Sequence, residues 1–271
     1  FNFLQSEIKI IHWLRLSYLF FEMSIVQDLA DFYTTEAKKY HQTRKKYRPE
    51  GELLLQSISK LSARIPKILE LGCGGGRFIS LLNQQFKKKF SYTWIDISEG
   101  LLSYAQEENP DQHFFCTDML SHLQTCKQES LDLIVACASF QHLPTEKERL
   151  VVMKNAYRAL NYEGMLIFTN WAFSERFLKT HWKALILSVV KSLFTWGHLS
   201  RRDLFIPRKT KTGTHYRYYH LFWLNELRKL AEMSGFVVEE LYYLDKKGSR
   251  VLDWRKANNS FLVARKMVFK E

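Results

Sequence analysis

The sequence predicts an α/β fold with a seven-stranded, mostly parallel sheet, helices on both faces and an antiparallel last strand. Three observations favour this fold. Short apolar runs alternate with helix-spaced segments between residues 67 and 170, the order expected of parallel strands joined by helices. The run at 131–136 is largely apolar, as a strand covered on both faces would be. The chain closes with two strand-like runs, 235–244 and 259–266, that read as a hairpin with a charged link.

Length and composition fit one domain with insertions, because the chain has 271 residues and is 46% hydrophobic. The net charge of +12 makes a polyanionic partner plausible, although such a charge also simply favours solubility. The four cysteines are scattered without a C-x-x-C pair. We therefore expect reduced thiols in a cytoplasmic protein, and no structural zinc or other metal site.

Residues 1–22 differ from the rest and are predicted to be an appendage to a main domain at 23–271. Their apolar stretch, Ile8 to Phe21, contains Lys9, His12 and Arg15, so it is too short and too charged to span a bilayer. No small-residue cleavage site follows it, which argues against a secretory signal. The alternative is an anchor that lies on a membrane surface, since aromatic and basic residues are mixed there.

A first helix is predicted over 26–46, with the pattern D-F-Y-x-x-x-A-x-x-Y-x-x-x-R. Tyr33, Ala37, Tyr40 and Arg44 share one of its faces. The two tyrosines either pack against the protein or face a bound molecule. A second helix, at about 53–63, leads into the first strand.

The segment from 67 to 78, K-I-L-E-L-G-C-G-G-G-R-F, reads as a strand, a glycine turn and the start of a helix. Glycines allow positive φ and let a ligand lie against the backbone. The dinucleotide pattern G-x-G-x-x-G fails, because Arg77 stands where its last glycine should be. The pattern present is E-x-G-x-G-x-G, which resembles the first motif of the class I S-adenosylmethionine-dependent methyltransferases. A turn that only joins strand to helix remains the alternative.

This resemblance implies a Rossmann-like fold and S-adenosyl-L-methionine as the cofactor. It places one set of residues against that cofactor: Glu70, Gly72, Cys73, Gly74 and Gly76. It also implies that the first helix closes over the cofactor and that Tyr40 contributes to the pocket.

The second strand, at about 90–95, ends at Asp96, twenty positions beyond Gly76. A carboxylate at this strand end can accept both ribose hydroxyls, and Ile97 would pack on the adenine. The alternative is that Asp96 caps the next helix, which begins near Ser98. After the third strand, at about 112–116, the resemblance implies that Asp118 bonds the adenine amino group and that Met119 lies against the ring.

The fourth strand, 131–136, runs into C-A-S-F-Q-H-L-P, and a helix follows at about 145–160. Catalytic groups gather at the carboxyl ends of strands in such sheets, so Cys137 should border the cofactor and Ser139 to His142 should face the methyl group or its acceptor. His142 is the candidate for proton transfer. A role in shaping the pocket or capping the next helix is the alternative. The sequence has neither an N-P-P-Y-like element nor a P-C nucleophile.

After a fifth strand at 164–170, the segment 171–220 is longer than a minimal connection and is predicted to be an insertion on the substrate side. Its first half, 177–196, has the spacing of a basic amphipathic helix, which could be a lid on its own domain or could lie on a membrane. Its second half, 201–220, has six Lys and Arg residues against Asp203, interleaved with tyrosines. That mixture suits phosphate contacts and stacking on unpaired bases.

The motifs I-P-R-K and R-Y-Y-H-L-F, followed by an E-L-x-x-L helix, resemble the tRNA wobble-uridine carboxymethyl methyltransferases. The resemblance implies tRNA as a partner. Arg217 is the second candidate catalytic residue, because its cation could hold the acceptor acid. Eukaryotic members use a small zinc-binding activator subunit, which is therefore a second candidate partner. Gln141 and His142 depart from the family, whose members often have two histidines there. The resemblance implies that Arg217, Tyr218 and His220 help to shape the acceptor pocket. The further candidates for binding the acceptor are Tyr33, Arg44, Arg208 and Lys209.

Two other functions remain open at this point. One is a small-molecule O- or C-methyltransferase, perhaps working at a membrane through the 177–196 helix. The other is a non-catalytic, cofactor-binding partner of another enzyme.

Overall fold

The computed structural model describes residues 25–44, 50–194, 200–210 and 213–267, with the backbone alone for 190–194. It confirms the predicted α/β architecture, since a mostly parallel sheet lies between two layers of helices. The expected appendage at 1–22, with its alternative as a membrane anchor, lies outside the described residues.

Within the described ranges, eight strands form the central sheet and two form a separate hairpin. The strands are β1 (Lys67–Leu71), β2 (Ser91–Asp96), β3 (His113–Cys116), β4 (Leu131–Cys137), β5 (Leu160–Trp171), β6 (Asp203–Lys209), β7 (Thr214–His220), β8 (Val237–Leu244), β9 (Arg250–Val251) and β10 (Asn259–Arg265). The helices are α1 (25–35), α2 (Ala37–Thr43), α3 (Gly51–Ser59), α4 (Arg77–Gln85), α5 (Glu99–Glu108), α6 (Met119–Thr125), α7 (Glu146–Ala159), α8 (Glu175–Phe194) and α9 (Leu224–Met233), with 3₁₀ turns at Phe140–His142 and Trp254–Lys256.

The central sheet has the order β3-β2-β1-β4-β5-β10-β8-β9. The five strands β1 to β5 are parallel, and β10 runs antiparallel between β5 and β8. The sheet has one strand more than predicted, because part of the charged link pairs with β8 as the short edge strand β9. The carboxyl ends of β1 to β5 therefore meet at one edge, which is where such sheets bind ligands.

Helices cover both faces of the sheet, as the alternating sequence pattern predicts. One apolar core includes Leu54 of α3, Phe78 of α4 and Leu102 of α5. The opposite core includes Val152 of α7 and Leu227 of α9. The helix α7 begins at a capping box, in which Thr145 and Glu148 satisfy each other's backbone N–H groups.

The segment between β5 and α9 folds into α8 and the hairpin of β6 and β7. Phe177 of α8 packs on Leu204 and Ile206, on one face of the hairpin. The opposite face packs on α1, where Ile25 and Leu29 meet Phe205 and Tyr218. The hairpin is thus sandwiched between α1 and α8. No helix in the described ranges is long and apolar enough to cross a bilayer.

Candidate active site

A cavity of ≈ 300 Å³ lies at the carboxyl ends of β1, β2 and β4. The sheet supplies its floor through the glycine turn after β1 and through Asp96 at the end of β2. The helices α1 and α2 supply its cover through Tyr33, Tyr40 and Arg44. The structure therefore brings together the first helix and the two strand ends that the sequence singles out.

The glycine turn gives the cavity a floor of bare backbone. Gly72, Gly74 and Gly76 have φ of 76°, 57° and 80°, the left-handed region that favours glycine. A Cβ on Gly72 would overlap Ser139, and one on Gly76 would overlap Trp94. A Cβ on Gly74 would come no closer than 3.9 Å to Tyr40, so this position faces the open cavity. Gly72 and Gly76 are required for packing, whereas Gly74 leaves room for a ligand.

The carboxylate of Asp96 is fixed by two backbone N–H groups. Its Oδ2 accepts from Gly74 at 2.8 Å, and its Oδ1 accepts from Ser98 at 2.9 Å. Burial raises the pKa of Asp96, and these two donors oppose that shift. Each oxygen keeps accepting capacity, which suits the two hydroxyls of a ribose. The alternative role as a helix cap goes instead to Ser98, whose hydroxyl accepts the N–H of Leu101.

Glu70 lies beneath the glycine turn as a buried acid. Its Oε2 accepts the hydroxyl of Tyr92 at 2.7 Å, and burial raises the pKa of Glu70 to about 8. Cys73 and Cys137 line the same cavity. Burial also raises the pKa of the Cys73 thiol. Glu70 and Cys73 are therefore both mainly uncharged at neutral pH.

Ile97 and Met119, which are predicted to pack on adenine, both line the cavity, but Asp118 is not part of the lining. The carboxylate of Asp118 is the N-cap of α6, since it accepts both the N–H of Ser121 at 2.8 Å and its hydroxyl at 2.6 Å. Asp118, the residue expected to bind adenine, thus caps the N-terminus of α6. Thr117, just before it, does line the cavity.

His142 lies on the 3₁₀ turn after β4 and lines the cavity. Its Nδ1 donates to the carbonyl of Tyr218 at 2.7 Å, so its Nε2 carries a lone pair, which faces the hydroxyl of Tyr33 at 3.4 Å. Burial, together with the nearby charge of Arg217, lowers the pKa of His142 to about 4, although its hydrogen bond to the carbonyl of Tyr218 acts in the opposite direction. The ring is therefore neutral near pH 7 with a fixed tautomer.

Arg217 does not itself line the cavity, but its charge acts to lower the pKa of both Tyr33 and His142, which do line it. Its guanidinium is 4.9 Å from the ring centre of Phe32 and 5.4 Å from that of Tyr219. The Nε of Arg217 is buried without a hydrogen-bond partner. Among the described residues, no carboxylate forms an ion pair with it. This is a cation held in place by aromatic rings beside the cofactor cavity.

The structure does not place Tyr218 and His220 at the cavity. The hydroxyl of Tyr218 lies 2.7 Å from Asp203, and the two ring nitrogens of His220 lie 2.5 Å from Asp203 and 2.9 Å from Glu226. The side chains of Asp203, Tyr218 and His220 are all buried. Neighbouring residues on a strand point to opposite faces, so Arg217 faces the cavity wall, whereas Tyr218 and His220 face away from it. His220 fastens the hairpin to α9 through Glu226, and Tyr218 fastens it to the carbonyl of Pro144 before α7.

The remaining residues that are predicted to bind the acceptor lie in two different places. Arg44 lines the cavity, with its guanidinium 5.0 Å from the ring centre of Tyr40. Arg208 and Lys209 are exposed at the tip of the hairpin, away from the lining. Within the described ranges, no group of three or more His, Cys, Asp or Glu side chains could hold a metal ion.

Sequence reasoning missed several lining residues, among them Arg77 and His41. Arg77 is the first residue of α4, and its position directly after the glycine turn was a usable signal. His41 lies against Gly75, stacks on Tyr104 with ring centres 4.8 Å apart and is 3.0 Å from Glu108. It fastens α2 to α5, and a long-range contact of this kind leaves no local sequence pattern.

The sheet order, the glycine turn and the anchored carboxylate of Asp96 are arranged as in the class I S-adenosylmethionine-dependent methyltransferases. The cofactor is S-adenosyl-L-methionine, and the bare backbone at Gly74 and the free acceptor sites of Asp96 fit that group. In agreement, residues 68–164 match the family model described as a methyltransferase domain.

Comparison with known proteins supports this class. The chain is 32% identical over 184 residues to a malonyl-[acyl-carrier protein] O-methyltransferase of Bacillus anthracis, covering 66% of this chain and 59% of that protein. It is 32% identical over 131 residues to a trans-aconitate 2-methyltransferase of Escherichia coli (strain 55989 / EAEC), covering 46% of each. The chain thus spans about half the length of these curated relatives.

A solved structure has a similar fold. It is described as the complex between the Haloferax volcanii Trm112 methyltransferase activator and the putative methyltransferase. The TM-score is 0.60 at 13% identity, over 91% of this chain and 99% of that chain. At this identity, the similarity shows the fold alone.

Proposed function

We propose that the protein transfers a methyl group from S-adenosyl-L-methionine to a carboxylate oxygen, which forms a methyl ester. The observation that carries this proposal is the cation of Arg217, which no described carboxylate neutralises and which lies beside the cofactor cavity. An acceptor acid is ionised near neutral pH, so its attack needs no general base. That requirement agrees with His142, whose neutral ring is a weak base.

In this reaction the bound cofactor supplies a methyl group made electrophilic by its sulfonium. The C–S bond breaks as the C–O bond forms, S-adenosylhomocysteine leaves, and no proton is transferred. The protein contributes mainly by positioning the two reactants. Asp96 holds the ribose, and the backbone at Gly74 admits the cofactor. Arg217 orients the acid through one oxygen and leaves the other to attack, since full neutralisation would weaken the nucleophile.

His142 acts as a positioning residue in this proposal. Its bond to the carbonyl of Tyr218 joins the 3₁₀ turn to the hairpin, and its Nε2 faces the hydroxyl of Tyr33. The result is a fixed aromatic boundary of the cavity beside Arg217.

Our first choice of acceptor is the carboxymethyl group of a wobble uridine in tRNA. The support is the sequence resemblance at 206–230 and the exposed hairpin tip, where Arg208 and Lys209 lie near the half-exposed Tyr216. Such a tip can contact phosphates and stack on a base. The solved neighbour in complex with an activator makes a small activator subunit a reasonable partner.

A carboxylic acid that is small or carried on a protein is the second candidate. The two curated relatives are named for malonyl-[acyl-carrier protein] and trans-aconitate, and both acceptors carry carboxylates. The two candidates therefore share their chemistry and differ in what presents the acid.

The test is methyl transfer from labelled cofactor to tRNA containing 5-carboxymethyluridine, with unmodified tRNA as control, followed by nucleoside mass spectrometry. Parallel reactions offer malonyl-[acyl-carrier protein] and trans-aconitate. A methyl ester on one acceptor supports the proposal and identifies the carrier. Methylation of nitrogen or carbon would contradict it, as would the absence of any ester while the folded protein binds S-adenosylhomocysteine.

A matched pair of variants tests the role of Arg217. Arg217→Gln should raise the acceptor KM at least roughly tenfold, the loss expected for a charge-assisted hydrogen bond. Its affinity for S-adenosylhomocysteine should stay unchanged. Arg228→Gln, on the exposed side of α9, is the control and should leave both values unchanged. An unchanged KM in Arg217→Gln would contradict the assignment.

A further inference from the structure

We propose that the exposed side of α8, together with the neighbouring loop at 250–256, binds an anionic lipid surface. Neither the cofactor site nor the proposed acceptor chemistry needs this surface. The inference therefore stands apart from the proposed function.

The helix α8 is apolar on two sides. Phe177 and Leu185 pack against the hairpin and so account for one side. On the other side Trp182, Ile186 and Val189 are 54%, 56% and 41% exposed. Their spacing of four and three residues places them in one stripe along the helix. Trp182 and Ile186, each more than half exposed in the described part of the structure, are the main residues of this stripe.

Basic residues flank the apolar stripe. Lys183 is exposed beside Trp182, and Arg176 and Lys179 are exposed on the turns before the kink in α8 at the non-helical residue His181. The described part of α8 has one acid, Glu175, which is paired with Lys179 at 2.6 Å. Tryptophan and aliphatic residues beside Lys and Arg are typical of helices that lie in the plane of a membrane interface.

The loop at 250–256 extends this surface. Leu252 at its tip is fully exposed (101%), and Arg255 and Lys256 beside it are also exposed. Trp254 fastens the loop next to the start of α8, because its ring stacks on Phe173 with centres 5.5 Å apart. The loop thus adds a second exposed apolar residue near the start of α8, with Lys256 as a basic neighbour, whereas Arg255 is paired with Asp253 at 2.9 Å.

The apolar part of the surface distinguishes a lipid from RNA as the occupant. Ile186, Val189 and Leu252 have no aromatic face and no donor or acceptor for a nucleotide. Aliphatic side chains flanked by cations suit the boundary between acyl chains and anionic headgroups. The charge complementarity therefore favours a membrane surface that contains acidic phospholipid.

The experiment is co-sedimentation of the full chain with vesicles of phosphatidylcholine alone and vesicles that also contain phosphatidylserine. We expect binding to the second kind at low salt and weaker binding at high salt. Ile186→Glu should weaken this binding roughly tenfold or more, because a buried apolar contact is replaced by a charge. Leu252→Glu should act in the same direction.

Ile65→Glu is the matched control, since Ile65 is 54% exposed and lies before β1, at the opposite edge of the sheet. It should bind vesicles like the unchanged protein. All variants contain residues 1–22, so a difference between them reports the stripe and not that segment. Unchanged circular dichroism and affinity for S-adenosylhomocysteine establish that each variant is folded.

Three results would overturn the proposal. One is the failure of the unchanged protein to bind acidic vesicles at low salt. Another is equal binding by Ile186→Glu and Ile65→Glu. The third is a change in oligomeric state in Ile186→Glu without a loss of vesicle binding, because a second copy of the chain would then cover the stripe.

Discussion

The carboxylate of Asp96 and the backbone of Gly74 are joined by a hydrogen bond of 2.8 Å, so the end of β2 and the glycine turn after β1 form one unit. The same carboxylate accepts the N–H of Ser98, at the start of α5. One buried acid thus fixes the shape of the cofactor floor before any ligand binds. Substitutions of Asp96 should therefore change both the affinity for the cofactor and the order of the glycine turn.

Asp96→Asn should weaken S-adenosylhomocysteine binding roughly tenfold or more, since hydrogen bonds to a charged acceptor contribute about 1.5–3 kcal/mol. Titration calorimetry gives the affinity. Asp118→Asn is the matched control, because Asn is also a good N-cap and Asp118 lies outside the cavity lining. It should leave the affinity within about twofold, a difference of roughly 0.4 kcal/mol. A large loss in Asp118→Asn would mean that its carboxylate turns towards the adenine when the cofactor binds.

Substitution of Gly72 should mainly affect stability, whereas substitution of Gly74 should mainly affect cofactor binding. Gly72→Ala should lower the free energy of unfolding by about 2–5 kcal/mol, because its Cβ overlaps Ser139 and its φ is left-handed. Gly74→Ala should cost only about 1–2 kcal/mol, from backbone strain, yet lose most cofactor affinity. Denaturant unfolding and calorimetry measure the two quantities. Equal loss of stability in both variants would contradict the assignment of open space to Gly74.

The buried acid Glu70 should give the free protein a pH-dependent stability. The unfolded carboxyl ionises near pH 4.5, whereas the folded one keeps its proton up to a pKa of about 8. The folded state therefore binds more protons between these values, and the contribution of Glu70 to the free energy of unfolding falls as pH rises through them. Glu70→Gln should remove this slope in denaturant unfolding measured across the range. The same slope in both proteins would show that Glu70 is not its source.

The pH dependence of catalysis should show no ionisation of His142 in the neutral range. Its pKa is lowered to about 4, and a carboxylate acceptor ionises at about 4 as well, so kcat/KM should be flat through neutral pH. His142→Asn should keep this flat profile and lose rate because the wall against Tyr33 loosens. A fall in kcat/KM below about pH 6.5 that disappears in His142→Asn would instead identify His142 as a base.

His220 should matter for stability and not for acceptor binding. Its ring lies between Asp203 and Glu226, and removing one member of such a buried group costs about 3–5 kcal/mol. His220→Asn should show this loss in denaturant unfolding. His113→Asn, at an exposed position of β3, should stay within about 0.5 kcal/mol of the unchanged protein. A His220→Asn protein of normal stability with a raised acceptor KM would restore the role that the sequence resemblance implies.

The fold and the cofactor class followed from local patterns. Alternating apolar runs give parallel strands between helices, and the glycine spacing after β1 excludes the dinucleotide pattern. Both signals are local, because strand period, helix period and glycine conformation depend on neighbouring residues. The extra edge strand β9 was not predicted, because a strand of two residues is too short to show an alternating apolar pattern.

The site was predictable only where position along the chain fixes position in space. Gly72, Gly74 and Asp96 line the cavity because parallel strands bring their carboxyl ends together. Asp118 also follows a strand, but its carboxylate is taken by the first turn of α6. The choice between a ligand and a helix cap depends on side-chain direction, which the spacing of residues does not contain.

By itself, the sequence determined the order of strands and helices, the glycine turn, the acid at the end of β2 and the excess of basic residues. The tertiary structure alone decided which of the neighbours Arg217, Tyr218 and His220 faces the cavity wall. It also decided that α8 turns Trp182 and Ile186 outwards. The physical reason is that local periods report which residues share a face, whereas the face that is buried depends on what the rest of the chain packs against it.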